Sequence, residues 1–339
     1  MSLGLFTSLQ IKEAATYGET ASFATGTKYH VAVRPNVNLV ALPARITTEH
    51  VRQTGAQQVE EDAVGLWNVT GSFEGVWPFS GFLGFIIKHL MGVVTTTGTD
   101  PYTHVITYGD KIFAGFSAAV RRGDFLHCYH GLQMNGFGFT VAAGAPVTWK
   151  ADVVGSHMDP QALAVPTVLA FPASGDPYLL GQRTTLTFAA GALIFTEISF
   201  DFKPTLEVSE EKSYKCGSDV RSLLVRSGME ITCTLKRRHL VDGTGNLSKM
   251  YNNLASGASA AIQVSAVHNT IPGSYSMTQD WSAAKVTDQQ SNVRDMGVIP
   301  EEVTLRLFNF NTAGTNKITI LDKNAAPITA TGAYDGEAA

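Results

Sequence analysis

The chain has 339 residues, a formal net charge of −4, and only 16% charged residues. This charge predicts no standing affinity for nucleic acid or for an anionic membrane surface. The 32 glycines and the low charge content are typical of a globular β-rich protein and exclude a disordered chain. The length is large for one hydrophobic core and predicts two domains.

Cysteine usage and hydropathy indicate which cellular compartment suits the protein. Three cysteines, few and odd in number, predict a reducing environment without a disulfide framework. Residues 1–19 show no basic region of a secretory signal. The most apolar run, 79–94, is shorter than the roughly 20 residues that cross a bilayer, so a buried helix and no membrane partner are predicted. The cysteines are Cys128, Cys216 and Cys233.

The chain begins with a stretch of weak periodicity. Residues 1–35 are rich in Gly, Thr and Ala, which predicts an N-terminal arm that is ordered only where something ties it down. Residues 36–155 then predict a first β-rich domain, which opens with a strand near 37–47 and a polar hairpin over 48–62. The charged residues of that hairpin are Glu49, Arg52, Glu60, Glu61 and Asp62.

A strand runs directly into an apolar helix after the first hairpin. Between Trp67 and Trp77 apolar and polar residues alternate, as in a strand with one buried face. Pro78 cannot donate to a sheet ladder, and the apolar run 79–91 that follows ends at Gly92. This pattern predicts a short helix that caps one side of the sheet. Its predicted inner positions are Phe79, Phe82, Leu83, Ile86 and Leu90.

The remainder of the first domain is predicted to be strands. Residues 102–109 and 116–124 carry β-branched and aromatic residues, and 131–155 form a glycine-punctuated hairpin. Residues 156–183 contain four prolines and are predicted to be a linker.

A second domain, 184–325, repeats this order, and residues 326–339 are predicted to be a flexible tail. The shared order of strand, polar hairpin, strand, short helix, strand and closing strand favours a duplicated domain; chance recurrence in two β-rich halves is the alternative. The corresponding segments are 195–204, 205–219, 224–239, 246–257, 260–269 and 302–310. The charged residues of the second hairpin are Glu207, Glu210, Glu211 and Lys212.

The strand faces opposite the helices are predicted to be wet, small and mostly uncharged. Open sheet edges seek partners unless they are closed or blunted. Six such sheets joined edge to edge would close a barrel, and the polar faces would line a wide water-filled bore. The polar positions are Asn68, Thr70, Ser72 and Glu74 in the first domain, and Arg226, Glu230, Thr232 and Thr234 in the second.

Three segments together resemble the tail tube proteins of long-tailed bacteriophages. They are VTGSFEGVWPFSGFLGFIIKHLMG (69–92), PYTHVITYGD (101–110) and YHGLQMNGFGFTVAAGAPVTWKADVVG (129–155). The resemblance covers 69–155 by motif and 195–310 by arrangement only. In the second domain TLKRRHLVDGTGN stands in place of the proline-and-aromatic junction, and AVHN in place of the Thr-His pair.

The resemblance implies a mainly β fold with two β-barrel or sandwich tail-tube domains, each with a short capping α-helix. It implies a structural virion protein, not an enzyme and without a cofactor, whose stacked rings form the tail tube through which DNA enters the host. Single-domain members form hexameric rings, so two tandem domains imply a trimeric, pseudo-hexameric ring. Implied partners are further copies of the chain, the tape measure, terminator and distal tail proteins, and transiently passing double-stranded DNA. Assembly would occur in the host cytoplasm.

The resemblance also assigns roles to charged residues. The two polar hairpins and the N-terminal arm become candidates for contacts between rings. Each Lys or Arg that neutralises a phosphate adds affinity through counterion release, so a lining of Thr, Ser, Asn and carboxylates would let DNA slide. The lumen candidates are Glu74, Asp201 and Glu230; the alternative is that they are ordinary solvated residues.

Catalytic and metal patterns are weak. His127 and His130 flank Cys128, but on a strand the two histidines point to opposite faces, and no second ligand cluster is spaced to complete a metal site. The Ser-x-x-Lys pattern at 209–212 lacks its companion motifs, and there is no phosphate-binding loop.

Three other functions are alternatives to the tail tube. A host- or carbohydrate-binding β-sandwich usually places aromatics in exposed loops, whereas most aromatics here lie on alternating strand positions. A β-rich hydrolase would need a nucleophile constellation that the sequence lacks. A tail terminator or distal tail protein, which forms rings but does not polymerise, is the nearest alternative.

Overall fold

The computed structural model describes residues 8–19, 23, 29–31, 37–51, 57–77, 82–99, 101–109, 115–122, 125–161, 179–209, 213–216, 218, 220–222, 224–238, 253–267, 275–291, 300–308 and 316–322. The prediction of a mainly β fold is confirmed. In the first half of the chain the strands are β1 (Ser8–Glu13), β2 (Tyr29–Val31), β3 (Asn38–Val51), β4 (Gln57–Val76), β5 (Gly92–Thr97), β6 (Tyr102–Tyr108), β7 (Phe116–Arg122), β8 (Phe125–Ala142), β9 (Thr148–Gly155) and β10 (His157–Gln161). In the second half they are β11 (Thr184–Phe188), β12 (Gly191–Leu193), β13 (Glu197–Glu207), β14 (Val225–Arg238), β15 (Ala260–Val267), β16 (Ser276–Ser291), β17 (Pro300–Leu307) and β18 (Lys317–Asp322).

The predicted capping helix is α1 (Phe82–Met91), which packs against β5, β6 and β8. Two of its predicted inner residues, Ile86 and Leu90, are fully buried, whereas the side chains of Phe82 and Leu83, and all of Phe79, lie outside the described residues. Gly92 ends the helix with a φ of +112°, and a Cβ there would lie 2.8 Å from the carbonyl oxygen of Gly109. No helix among the described residues is long and apolar enough to cross a membrane.

Eight strands form one continuous antiparallel sheet, called here the long sheet. Its order is β3–β4–β9–β8–β13–β14–β17–β16. Two flanking groups cover its apolar face: β2–β1–β7–β8–β10 in the first half, and β12–β11–β15–β16–β18–β6–β5 in the second. The long strands β8 and β16 belong to both the long sheet and a flanking group, so each connects the two layers.

The two halves of the long sheet have the same strand order, because β3–β4–β9–β8 corresponds to β13–β14–β17–β16. The bulge between β8 and β9 after Met134 corresponds to the one between β16 and β17 after Val286. The bulge between β7 and β8 at Phe116 corresponds to the one between β15 and β16 at Ala260. Matching bulges fix a residue-by-residue equivalence between the two halves of the long sheet.

The halves are not separate bodies, since one hydrophobic core runs through both. Strand β8 pairs with β13, so that Phe139 lies opposite Phe200 and Phe137 opposite Phe202. The rings of Phe139 and Phe200 stack with centroids 5.0 Å apart. Strand β6 of the first half also pairs with β18 of the second. The boundary between the two predicted domains is therefore a packed seam.

The predicted arm and linker contain regular structure. Within 1–35, β1 pairs with β7 and β2, and Glu13 forms a 2.7 Å ion pair with the fully buried Lys88 of α1. These contacts are what ties the arm down. Within 156–183, β10 pairs with β8, and a 3-10 turn spans Gly181–Arg183; residues 162–178 lie outside the described part. The tail 326–339 also lies outside it.

The prediction of a second polar hairpin over 205–219 was wrong. Strand β13 ends at Glu207, opposite Val225, and the described residues that follow fold back onto the first half. The Tyr214 hydroxyl donates to the carbonyl of Trp67, and Arg221 donates to the carbonyl of Gly155 at 3.2 Å. The first hairpin, by contrast, is a long paired arm in which residues 38–51 of β3 pair with residues 57–72 of β4.

Candidate assembly surface

The polar face of the long sheet is continuous across both halves. On β4 the buried residues Val69 and Phe73 alternate with Thr70, Ser72 and Glu74, which face away from α1. The cross-strand register then places the polar residues of every later strand on that same face. One row of directly opposed residues crosses the sheet in the order Glu74, Lys150, Gly138, Asp201, Thr232, Arg306 and Lys285.

The three lumen candidates lie on this polar face. Glu74 and Asp201 line the same shallow depression of about 370 Å³, which spans the seam between the two halves. Glu230 lies opposite Lys203 on the adjacent strand pair. The structure therefore places all three carboxylates on one face of the long sheet, and two of them, Glu74 and Asp201, in the same depression.

The face is not free of basic groups, which corrects the predicted lining of hydroxyls, amides and carboxylates. Each of four cations lies within 3.1 Å of a carboxylate oxygen, and most of these side chains are about half exposed. The hydrogen bonds that Lys203 and Lys236 donate to Asp201 and Glu197 respectively raise the pKa of each amine, so both amines stay charged. The four pairs are Lys150–Asp152, Lys203–Asp201, Lys236–Glu197 and Arg306–Glu230.

The sequence pattern missed two of these four cations because they lie on strands whose place in the sheet only the tertiary structure fixes. Lys150 on β9 and Arg306 on β17 are neighbours of β4 and β14 in space, not along the chain. Exposed pairs of this kind contribute little to stability, about 0–1 kcal/mol each. Their effect on the face is to cancel charge locally while leaving it hydrated.

Arg226 was predicted on the polar face and lies on the other one. A bulge between Thr205 and Leu206 shifts the register of β14, which turns Arg226 toward the helix. Its guanidinium donates to the carbonyls of Leu90 and Gly109, at the C-terminal end of α1. A cation there satisfies orphan carbonyls and complements the negative end of the helix dipole.

The two outer edges of the long sheet belong to β3 and β16. Among the described residues β3 pairs with one strand, β4, and residues 285–291 of β16 pair with one strand, β17. Next to the β3 edge two apolar side chains are exposed on the otherwise polar face, Val40 at 40% and Leu42 at 66%. Edge strands that are open on one side and carry exposed apolar residues favour strand addition.

The predicted hairpin residues are described only in part. Four of them lie on the paired arm of β3 and β4, where the structure describes the strand but not the side chains: Glu49, Glu60, Glu61 and Asp62. Glu207 is the last residue of β13. Arg52, Glu210, Glu211 and Lys212 lie outside the described residues.

The His-Cys segment of β8 is buried. His130 lies 3.1 Å from the Ser117 hydroxyl, and burial lowers its pKa to about 4. Burial likewise raises the pKa of the Cys128 thiol to about 12. Within the described part of the chain, no three His, Cys, Asp or Glu side chains are grouped as a metal site.

Comparisons with known proteins give a family and distant structural likenesses. No curated protein matches the sequence. The SPP1 tail tube is 8% identical, with 45% of this chain and 87% of that chain covered and a TM-score of 0.32. The baseplate of the anti-feeding prophage is 16% identical, with 46% and 99% covered and a TM-score of 0.32. The phage tail tube protein family matches residues 5–332, and the chain therefore belongs to that family.

Proposed function

We propose that copies of this chain form rings that stack into a phage tail tube, with the polar face of the long sheet turned inward as a conduit for DNA. The observation that carries the proposal is that both halves contribute to one uninterrupted polar face, backed by one core. A structural role in the virion follows from the family. The ring, the stacking and the passage of DNA are our proposal.

The geometry of a closed sheet favours three chains per ring. With about 4.8 Å between strands and a tilt of about 40°, three copies of the eight-strand sheet would close at a diameter of about 48 Å between backbones. That leaves a bore wide enough for a hydrated DNA duplex. One copy would close at about 16 Å and be filled by side chains, and six would close at about 96 Å, far wider than a duplex needs. A trimeric ring with pseudo-sixfold symmetry fits best.

The paired charges of the polar face suit a conduit. A free Lys or Arg in the bore would bind phosphate and release counterions, which slows sliding. On this face Lys203, Lys236 and Arg306 each have a carboxylate oxygen within 3.1 Å, and Glu74 adds a further negative charge. DNA would therefore meet a hydrated surface with little net attraction.

The paired arm of β3 and β4 is the proposed contact between rings, through Glu49, Arg52, Glu60, Glu61 and Asp62. The second segment, with Glu207, Glu210, Glu211 and Lys212, is a weaker candidate because its described residues fold back onto the same chain. The N-terminal arm is likewise a weaker candidate over β1, which is paired within the chain. Tape measure, terminator and distal tail proteins are the proposed partners at the tube interior and ends.

Electron microscopy of the purified protein at rising concentration tests the assembly. Stacked rings with a central bore and a mass of three chains per ring are expected. Isolated rings at every concentration would instead favour a terminator or distal tail protein. Persistent monomers would contradict the tube.

A charge test addresses the bore. Asp201→Asn with Glu230→Gln leaves Lys203 and Arg306 without their carboxylates, so assembled tubes should bind duplex DNA more tightly, with a steeper salt dependence. Asp280→Asn is the matched control, because Asp280 lies in the part of β16 that belongs to a flanking group and accepts a hydrogen bond from Gln263 there. Equal DNA binding by both variants would show that the polar face does not line the bore.

A further inference from the structure

We propose that the seam between β8 and β13 inside one chain is the template for the seam between two chains, and that it sets the register in which β16 of one copy pairs with β3 of the next. The inference rests on the proposed ring and adds to it a residue-level contact. The partner is a second copy of this chain, joined head to tail.

The template follows from the internal repeat. Strand β8 is the last strand of the first half of the long sheet, and β13 is the first strand of the second half. In the same sense β16 is the last strand of the second half, and β3 is the first strand of the next copy. A head-to-tail contact that repeats at a fixed rotation closes a ring. The exposed ends of the sheet are thus the two halves of one interface.

The equivalence of residues fixes the register. The bulges equate Met134 with Val286, so Phe137 and Gly138 correspond to Gln289 and Gln290. The pairing of the neighbouring strands equates Asp201 and Phe202 with Val40 and Ala41, because Thr232 and Thr70 occupy the same position in β14 and β4. Inside the chain, Gly138 lies opposite Asp201 and Phe137 opposite Phe202. Between copies, Gln290 therefore lies opposite Val40, and Gln289 opposite Ala41.

Two prolines support the same boundary. The β8–β13 pairing ends at Phe202, two residues before Pro204, which cannot donate a ladder hydrogen bond. The equivalent residue of β3 is Pro43, two residues after Ala41. In this register, the pairing of an added strand with β3 would end at the position where the pairing of β8 with β13 ends. In both places the following proline has no N–H with which to continue the ladder.

The side chains of the two seams differ in a way that suits their roles. The internal seam buries the ring of Phe137 against Phe202, with centroids 6.2 Å apart, and is permanent within the fold. At the equivalent places between copies stand Gln289 and Ala41, which bury less apolar area and give a weaker contact. The added strand would cover the exposed Val40. A weaker seam between chains lets subunits remain folded and soluble before they assemble.

Cysteine cross-linking tests the register. In a Cys216→Ser background, which removes the exposed thiol, Val40→Cys with Gln290→Cys places two thiols on directly opposed residues. Opposed residues of antiparallel strands have Cα atoms about 4.5–5.5 Å apart, which is within disulfide range. Oxidised tubes should give covalent dimers and closed trimers on a non-reducing gel, and little of either from each single variant.

Shifted pairs serve as controls. Leu42→Cys with Gln290→Cys moves one thiol by two residues, to a diagonal separation of about 7–8 Å, and should cross-link at least fivefold less. Thr140→Cys with Ser199→Cys, opposed within the internal seam, should form a disulfide inside one chain without a larger species.

The outcomes separate the two proposals. Tubes that form but cross-link best through the shifted pair overturn the register and leave the tube intact. Tubes in which neither pair links overturn the β16–β3 seam. A protein that neither assembles nor cross-links at any concentration overturns the ring and the seam together.

Discussion

The two halves of the long sheet share a strand order but fill equivalent positions with different chemistry. In the first half Gly75 lies opposite Trp149, whose ring packs against Phe73. The equivalent positions of the second half are Arg237 and Glu301, a buried ion pair with N–O separation of 2.6 Å and exposures of 6% and 1%. One backbone layout thus accommodates an aromatic cluster on one side and a buried salt bridge on the other.

The difference teaches that bulges and register, not the identity of core residues, preserve the repeat. Aromatic burial stabilises through apolar area. A buried ion pair carries a desolvation penalty that its mutual attraction only offsets when both partners are present. The halves should therefore respond differently to the loss of a single side chain.

The seam gives the largest expected effect. Phe200→Ala removes a ring that stacks on Phe139 and should lower the free energy of unfolding by about 3–5 kcal/mol, because it leaves a cavity between the halves. Phe188→Ala, in the buried β11–β12 pair, is the control of equal chemistry away from the seam. Guanidinium unfolding should become biphasic for Phe200→Ala only. A single transition in both variants would show that the coupling between the halves does not depend on the ring of Phe200.

The buried ion pair comes next. Glu301→Leu leaves Arg237 charged and buried, and should cost about 3 kcal/mol. The double variant Arg237→Met/Glu301→Leu should recover to within about 1 kcal/mol of the parent, since no charge is left unpaired. Thermal and chemical unfolding measure both. A double variant no better than the single one would mean that the pair contributes packing that Met and Leu cannot replace.

The folded-back segment of the second half should give a smaller effect. Arg221 donates to the carbonyl of Gly155 and to the side chain of Asn68 and stacks on Tyr214, so Arg221→Ala should cost about 2 kcal/mol and expose the segment after β13. Limited proteolysis and unfolding measure the two consequences. Lys215→Ala, exposed in the same segment, is the control and should change neither.

The smallest effect, taken per pH unit, is a pH dependence to which His130 of the first half contributes. Burial, then the nearby His157, lowers the pKa of His130 to about 4 from an ordinary value of 6.5. The unfolded chain therefore takes up a proton between pH 6.5 and 4 that the folded chain resists, and stability falls as the pH drops through this window. The loss is at most about 1.4 kcal/mol per pH unit for one group.

The second half supplies the matched variant for this test. The residue equivalent to His130 is Ser282, whose hydroxyl donates to Asn316. His130→Ser should therefore give a shallower loss of stability between pH 6.5 and 4 than the parent chain. An unchanged slope would assign the pH dependence to other groups, such as the buried His89.

Regular alternation made most long-sheet strands predictable. The patterns around Trp67, Phe200 and Ile231 gave strands with the correct buried faces, and the apolar run before Gly92 gave α1. Strand β16 was missed because its segment, SMTQDWSAAKVTDQQS, is polar enough to lack a clear apolar face. It is a strand because it pairs with β15, β17 and β18, which local pattern does not report.

The second predicted hairpin is another case in which local composition does not report tertiary contacts. Its polar composition matches that of the first, yet Tyr214 and Arg221 find partners on Trp67 and Gly155, far away along the chain. Composition predicted a projecting arm, and tertiary contacts folded the segment back.

The sequence by itself determined the mainly β class and the helix after the first polar strand, because each follows from periodicity and from proline and glycine over a few residues. Only the tertiary structure decided that the halves share one core, that cations from β9 and β17 neutralise the polar face, and that β3 and β16 form its edges. Those features depend on which strands pair across more than a hundred residues, and the energy of such pairing lies in contacts that no local pattern contains.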